Sequence, residues 1–145
     1  MPRKKKESLK PTENQKKKFT QAIGRRKRSV ARIRLFKGKS EFIINGVPIS
    51  RYFCLPAAET LWLKPFELTK TEGKYHVLAR IEGGGKSGQL GAFIHGVSRA
   101  LVKENESFRP ILKKEMLLRR DPREKERRKP GLAQKARAKK QSPKR

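Results

Sequence analysis

The stretch IEGGGKSGQL, residues 81–90, contains residue types that could bind phosphate: three glycines followed by Lys86 and Ser87. A P-loop needs a glycine, four residues and then Gly-Lys-Ser or Gly-Lys-Thr, because its amides must wrap the phosphates while the lysine reaches over them. The first glycine would have to be residue 80, which is Arg80. The sequence therefore does not predict a nucleotide-hydrolysing enzyme. A glycine turn, a helix N-terminus and Lys86 still suit an anion, and a backbone phosphate of RNA fits the charge better.

The other residues that could act in catalysis or bind a metal form no catalytic or metal-binding pattern. Cys54 is the single cysteine, which excludes an internal disulfide and a multi-cysteine zinc site, and we expect it to be a small buried residue. His95 has no second histidine or acid at metal-ligand spacing, so we predict a hydrogen-bonding histidine. Neither an acid pair nor a histidine cluster is present. We therefore expect no enzymatic activity, no cofactor and no small-molecule substrate.

The charge of the chain predicts a polyanionic partner. Lys and Arg number 40 against 13 Asp and Glu, which gives a net charge of +27. Such a charge repels itself in a compact monomer, and nucleic acid is the usual partner of so basic a chain. A membrane is not predicted, because the sequence has neither an apolar stretch near 20 residues nor a basic amphipathic helix with aromatic anchors. The first residues lack the apolar region of a signal peptide.

The charge is distributed unevenly, and this predicts three regions. Residues 1–18 carry a net charge of +6 and residues 119–145 a net charge of +10. Both ends have too few large apolar residues to offset the entropy cost of ordering, so we expect basic tails that are disordered in the free chain. Residues 19–118 hold nearly all of the large apolar residues and are predicted to form one globular RNA-binding domain.

Two stretches of this domain alternate between apolar and polar residues, as β-strands do. Residues 28–36 have an apolar side and a basic side, which carries Arg32 and Arg34, and residues 75–82 alternate in the same way. Gly38 is predicted to turn the chain from the strand at 28–36 into another strand, EFIIN. The strand at 28–36 and EFIIN are then expected to form a hairpin. Four basic residues just before the first strand, 25–28, favour phosphate contact over a merely solvated face.

Helices are predicted between and after the strands. Pro65 is expected to follow the end of one helix, Trp62 to pack in the core rather than to stack on a base, and Ser87 to cap the longest helix. The predicted helices cover residues 49–53, 57–63, 88–103 and a last segment from Ser107 to residue 118.

The longest predicted helix has two different faces. Its core face carries Leu90, Ile94, Val97 and Leu101. The opposite side carries small residues spaced by four, with basic residues among or beside them. Two interpretations of this small-residue stripe stay open: close approach by RNA, or packing against another element of the protein. The small residues are Gly88, Ala92, Gly96 and Ala100, and their neighbours are His95, Arg99 and Lys103.

Several stretches, in the right order, resemble the small-subunit ribosomal protein nine family (universal S nine), with spacing closest to its bacterial and organellar branch. The resemblance covers about residues 19–145. The matching stretches are AIGRRKRSVARIRL, GGGKSGQLGA, His95-Gly96 followed by RAL at 99–101, RRDPREKERRK and the final Lys144-Arg145.

The resemblance implies a fold, a function and a set of sites. The fold is α+β, a small β-sheet packed with helices and similar to ribosomal protein S five domain two, with long basic tails. The function is that of a structural constituent of the small ribosomal subunit head, which binds small-subunit ribosomal RNA beside neighbouring head proteins. The carboxy-terminal tail reaches the peptidyl-site tRNA through Lys144 and Arg145. The resemblance and charge together assign ribosomal RNA binding to Arg25, Arg26, Lys27, Arg28, Arg32, Arg34, Lys86, Arg99, Arg119, Arg120, Arg123, Arg127, Arg128, Lys135 and Arg137.

One position departs from the family pattern. The family often has an aromatic residue and a serine before the last two residues, whereas this chain has Ser142-Pro143, which removes any stacking by that aromatic and favours an extended backbone. The alternative function is a free RNA-binding protein or RNA chaperone. The expected location is a cytoplasmic ribosome, with an organelle ribosome as the alternative.

Overall fold

The computed structural model of the protein describes residues 19–132 and 135–137. The described part is an α+β fold in which one five-stranded sheet packs against helices. The strands are β1 (Phe19–Arg26), β2 (Ser29–Lys37), β3 (Ile43–Ile44), β4 (Val47–Pro48) and β5 (Tyr75–Glu82). The helices are α1 (Ile49–Tyr52), α2 (Ala58–Thr69), α3 (Lys86–Glu104) and α4 (Arg109–Lys114), with a short 3-10 turn at Glu106–Phe108.

The sheet has the strand order β1-β2-β5-β3-β4, and this corrects the predicted hairpin. Strand β2 forms its hairpin with β1, through a turn in which Lys27 has a φ of 51°. The strand predicted from EFIIN, β3, does not pair with β2; it lies parallel to β5 and antiparallel to β4. Fully buried Ile44 favours this position, and the Asn45 side chain bonds to the backbone N–H and C=O of Ile81.

The predicted faces of β2 and β5 are confirmed. Alternate residues of β2 point toward the helices and are buried, while Arg32 and Arg34 are exposed on the other face. In β5 the buried positions are Val77, Ala79 and Ile81. The period of two therefore encoded burial correctly, although it did not identify the neighbouring strands.

Helix α3 crosses the inner face of β1 and β2, and this crossing decides between the two interpretations of the small-residue stripe. All four stripe residues are buried. A Cβ built on Gly24 of β1 would lie 1.9 Å from the carbonyl oxygen of Ala92 and 2.3 Å from the amide nitrogen of Gly96. The stripe therefore packs inside the protein, because side chains larger than these would hold the helix away from the sheet.

Several local predictions about helix ends are wrong. Helix α2 continues through Pro65, which is buried beside Phe66, so core packing offsets the missing backbone bond. Helix α3 begins at Lys86 with Gly85 as its N-cap, and no side chain caps it, so Ser87 does not take that role. The last helix is short and ends at Lys114.

Three further predictions concern single residues. Asn105, rather than Ser107, caps the turn before α4, and its side chain accepts a bond from the Ser107 N–H. Cys54 is exposed, so its predicted burial is wrong; it follows α1 on a surface turn, where its thiol donates to the Arg51 carbonyl. Trp62 packs against the core as predicted; it is partly buried, edge-on to Phe42.

Candidate nucleic-acid interface

The hairpin turn between β1 and β2 gathers the basic cluster predicted at residues 25–28. Arg25, Lys27 and Arg28 are exposed, and Arg26 is half-buried because its side chain points to the helix side of the sheet. A shallow cavity of about 310 Å³ lies beside this turn and extends to Arg32 and Arg80 on the outer face of the sheet. The turn thus presents clustered guanidinium groups, which suit phosphate oxygens geometrically.

A larger groove, of about 790 Å³, runs between β1, α3 and residues 118–120. We call it the cationic groove. The residues that line it include four cations and no carboxylate: Gln21, Ala22, Ile23, Arg25, His95, Arg99, Lys103, Leu118 and Arg120. Positive charges focused in a concave surface attract an anionic chain more strongly than the same charges spread over a convex one.

The basic residues of α3 reach this groove because they cover the open edge of β1. Strand β1 is an edge strand of the sheet, so the backbone groups on its outer side have no neighbouring strand. The Arg99 guanidinium donates to the carbonyl of Ile23 at 2.6 Å, and the Lys103 ammonium donates to that of Gln21 at 3.0 Å. These bonds hold both cations at the groove wall. Lys103 is not among the site residues predicted from the sequence, because β1 was not predicted.

His95 of α3 also bonds to the open edge of β1, at Arg25, and its predicted hydrogen-bonding role is confirmed. The Arg25 N–H donates to His95 Nδ1 at 3.2 Å, and Leu118 lines the same groove as the ring. Burial, followed by the charge of Arg99, lowers the pKa of His95. A neutral ring is required here because Nδ1 must keep its lone pair to accept the Arg25 N–H.

The glycine turn between β5 and α3 is shaped by its contact with the hairpin turn. Gly83 and Gly84 have φ values of 74° and 62°, which favour glycine. A Cβ on Gly83 would lie 2.5 Å from the carbonyl oxygen of Arg28, and one on Gly84 would lie 2.2 Å from Oγ of Ser29. The buried Ser29 hydroxyl also donates to the Gly83 carbonyl. The first two glycines therefore let two turns pack closely.

Lys86, the first residue of α3, lies over an aromatic ring. Its Nζ is 3.4 Å from the ring centroid of Tyr52, whose hydroxyl donates to Gln89 Oε1. A cation held over a tyrosine face is stabilised by the ring quadrupole. Contact between Lys86 and an RNA phosphate stays a prediction.

The segment that follows α4 is attached to the hairpin turn by Arg26. Its guanidinium pairs with Asp121 at 3.0 Å and donates to the carbonyl of Arg123 at 2.6 Å. The Arg123 side chain also donates to both carboxylate oxygens of Asp121. We call these three residues the tail clasp. Hydrogen bonds from Arg123, assisted by the charge of Arg26, hold the pKa of Asp121 well below its usual range. Sequence reasoning assigned these arginines to RNA and missed Asp121, which the clasp requires.

The structure brings together some of the predicted site residues and separates others. Arg25, Arg99 and Arg120 meet in the cationic groove, whereas Arg32 and Arg34 lie on the outer face of the sheet. In the carboxy-terminal segment the Arg137 side chain pairs with Glu126. Arg119, Arg127, Arg128 and Lys135 are exposed. Lys144 and Arg145 lie outside the described residues.

Within residues 19–132 and 135–137, no helix is long and apolar enough to cross a membrane. The same residues contain no group of three or more histidine, cysteine or acidic side chains placed to hold a metal ion.

A comparison with protein-family models gives one match that covers most of the chain. The model is described as ribosomal protein S9/S16, and it matches residues 24–145. The matched range begins within β1 and includes the hairpin turn, the glycine turn, α3 and the tail clasp.

Proposed function

This chain belongs to the ribosomal protein S9/S16 family, and from that membership we propose that it holds ribosomal RNA in the head of the small subunit while its carboxy-terminal end contacts the peptidyl-site tRNA. The chain is a structural, non-enzymatic constituent of the small ribosomal subunit, where it binds ribosomal RNA and takes part in translation. The proposal concerns which of its surfaces make these contacts.

The cationic groove is the observation that carries the proposal. Four cations line it without a carboxylate among them, and two of these cations are fixed by bonds to the edge of β1. Ordering them in advance lowers the entropy cost of binding a phosphate chain. An RNA backbone can thus follow the groove from the hairpin turn toward the start of the tail.

The proposed RNA-binding residues extend from this groove in two directions. One set covers the hairpin turn, the basic face of β2 and the start of α3, and the other follows the chain beyond α4. Phosphate contacts of this kind fix position and carry no sequence information. The residues are Arg25, Arg26, Lys27, Arg28, Arg32, Arg34, Lys86, Arg99, Arg119, Arg120, Arg123, Arg127, Arg128, Lys135 and Arg137.

The tail clasp supports a set direction for the carboxy-terminal end. Arg26 joins Asp121 and Arg123 to the hairpin turn, so the tail leaves the domain at a defined point. A thin basic tail can pass between RNA helices where a folded domain cannot. We place Lys144 and Arg145 at the anticodon stem-loop of the tRNA on the family resemblance, with arginine and lysine contacting phosphate oxygens.

Removing one groove cation tests the ribosomal RNA part. In full-length protein, Arg120→Gln should weaken binding to small-subunit ribosomal RNA and lower the slope of log affinity against log salt by about one phosphate contact. Arg51→Gln is the matched control, because Arg51 is an exposed arginine on α1 that does not line the groove. Equal slopes for the two variants would contradict the assignment of the groove.

Deleting Lys144 and Arg145 tests the tRNA part separately. Small subunits reconstituted with the shortened chain should assemble normally, because anchoring is spread over many other cations. Peptidyl-site tRNA should dissociate faster, and the salt slope of its binding should fall by roughly two contacts. Identical dissociation rates and slopes would leave the tail end as one more ribosomal RNA anchor.

A salt wash of small subunits tests the alternative function. A full-length chain that washes off the subunits in salt would indicate a free RNA chaperone.

A further inference from the structure

An aromatic row crosses the outer face of the sheet, opposite to the face that packs on α3. Strand register places Phe19 of β1 beside Phe36 of β2, and Phe36 beside His76 of β5. The ring centroids are 5.4 Å apart in the first pair and 5.2 Å apart in the second. Phe19 is 42% exposed, although burial would stabilise so large an apolar side chain. We call these three residues the aromatic row.

The rings of this row are held in place before any partner binds. His76 Nδ1 donates to the carbonyl of Gly38 at 3.1 Å, and its ring stacks on Phe36 with an interplanar angle of 12°. The Arg34 guanidinium lies 5.3 Å from the ring centroid of Phe19. These contacts fix the ring orientations, so a partner would find a shaped surface.

The positions around the aromatic row are strongly basic. The outward positions of β1, β2 and β5 include four arginines but one acid, Glu82, which pairs with Arg80. Arg32 lies directly opposite Arg80 in the strand register, and like charges opposite each other destabilise a sheet. An anionic partner would remove that repulsion, whereas a neutral protein neighbour would bury the two like charges without neutralising them.

We propose that the outer face of the sheet binds an unpaired segment of ribosomal RNA, with bases stacked on the aromatic row and phosphates bound by Arg32 and Arg34. Aromatic side chains beside arginines on an open sheet suit single-stranded RNA, since each base has a face that can stack and each linkage a phosphate. The inference rests on the proposed function only in naming the RNA as ribosomal. It adds a base-contacting surface to the phosphate-binding groove on the other side of β1.

Photo-crosslinking in intact small subunits tests the contact directly. Short-wave ultraviolet light joins stacked bases to aromatic side chains, and digestion with ribonuclease and trypsin leaves nucleotide adducts for mass spectrometry. We expect an adduct on the tryptic peptide 19–25, which contains Phe19, or on peptides 35–37 or 75–80. Adducts confined to other peptides of a subunit-bound chain, or a crosslink from this face to a neighbouring protein, would overturn the proposal. The proposed function would stand in that case, because the chain would still be in the particle.

Binding measurements separate stacking from charge. For the full-length chain, Phe19→Leu with Phe36→Leu should weaken binding of a single-stranded oligouridylate about fivefold or more, while an abasic oligomer of equal length should bind unchanged. Leu61→Ala is the control, because Leu61 is an exposed apolar residue on α2. Phe19→Leu alone serves if the double variant unfolds. An equal loss for both oligomers, or no loss, would remove the aromatic row from RNA binding.

Discussion

The crossing of α3 over β1 makes a strong prediction at Gly24. In most strands alanine is more stable than glycine, by roughly 0.5–1 kcal/mol. Here a Cβ would lie 1.9 Å from the Ala92 carbonyl oxygen and 2.7 Å from the Gly96 Cα. Both obstacles are backbone atoms of a buried helix, which cannot rotate away as a side chain can. Gly24→Ala should therefore destabilise the fold, although alanine is intrinsically favoured over glycine in a strand.

The magnitude follows from overpacking. Extra methyl groups in a packed core cost about 1–3 kcal/mol, and a backbone obstacle belongs at the upper end of that range. After subtraction of the strand preference, the net loss in the free energy of unfolding is about 2 kcal/mol or more. For a domain near 100 residues, this lowers Tm by roughly 10 °C. Thermal unfolding of the full-length chain, followed by circular dichroism, measures the shift.

Gly85→Ala is the control for this experiment. Gly85 is the N-cap of α3, its φ is negative, and a Cβ there would meet nothing within 4 Å. It should cost only the difference in capping preference, which is about 1 kcal/mol or less. An unchanged or raised Tm in Gly24→Ala would refute the close crossing of α3 over β1, and with it the internal packing of the small-residue stripe.

Three further predictions use the same structure. Gly96→Leu should also lower the Tm of the isolated chain strongly, because even its Cβ would lie 2.6 Å from buried Ile33; an unchanged Tm would favour an exposed stripe. The lowered pKa of Asp121 means that the tail clasp is intact above the usual aspartate pKa of about 3.9 and is lost as pH falls through the lowered value. Asp121→Asn should therefore speed tryptic cleavage near residue 123 at neutral pH, and equal cleavage rates would argue against the clasp. The lowered pKa of His95 predicts that stability falls as pH drops below about 6.5; unfolding across pH should show a weaker dependence in His95→Asn, which keeps an acceptor for the Arg25 N–H.

The sequence by itself determined the strands and the helix in which buried residues recur at a regular spacing. The period of two in residues 28–36 and 75–82 predicted β2 and β5 with their correct faces, and the spacing in 88–103 predicted α3. Charge and several ordered motifs predicted a ribosomal, RNA-binding protein, and the family match confirms this. These features are local or compositional, so no knowledge of distant contacts was needed.

Only the tertiary structure decided which elements are neighbours. Strand β1 was missed because exposed Ile23 and buried Gly24 invert the usual pattern. Gly24 is buried because α3 passes over it at Ala92 and Gly96. The parallel pairing of β3 with β5, the glycine turn against the hairpin turn, and the tail clasp likewise join segments far apart in the chain. Small and charged residues have several possible partners, and local periodicity does not encode the choice. The choice is made when packing and backbone hydrogen bonds are satisfied together across the whole fold.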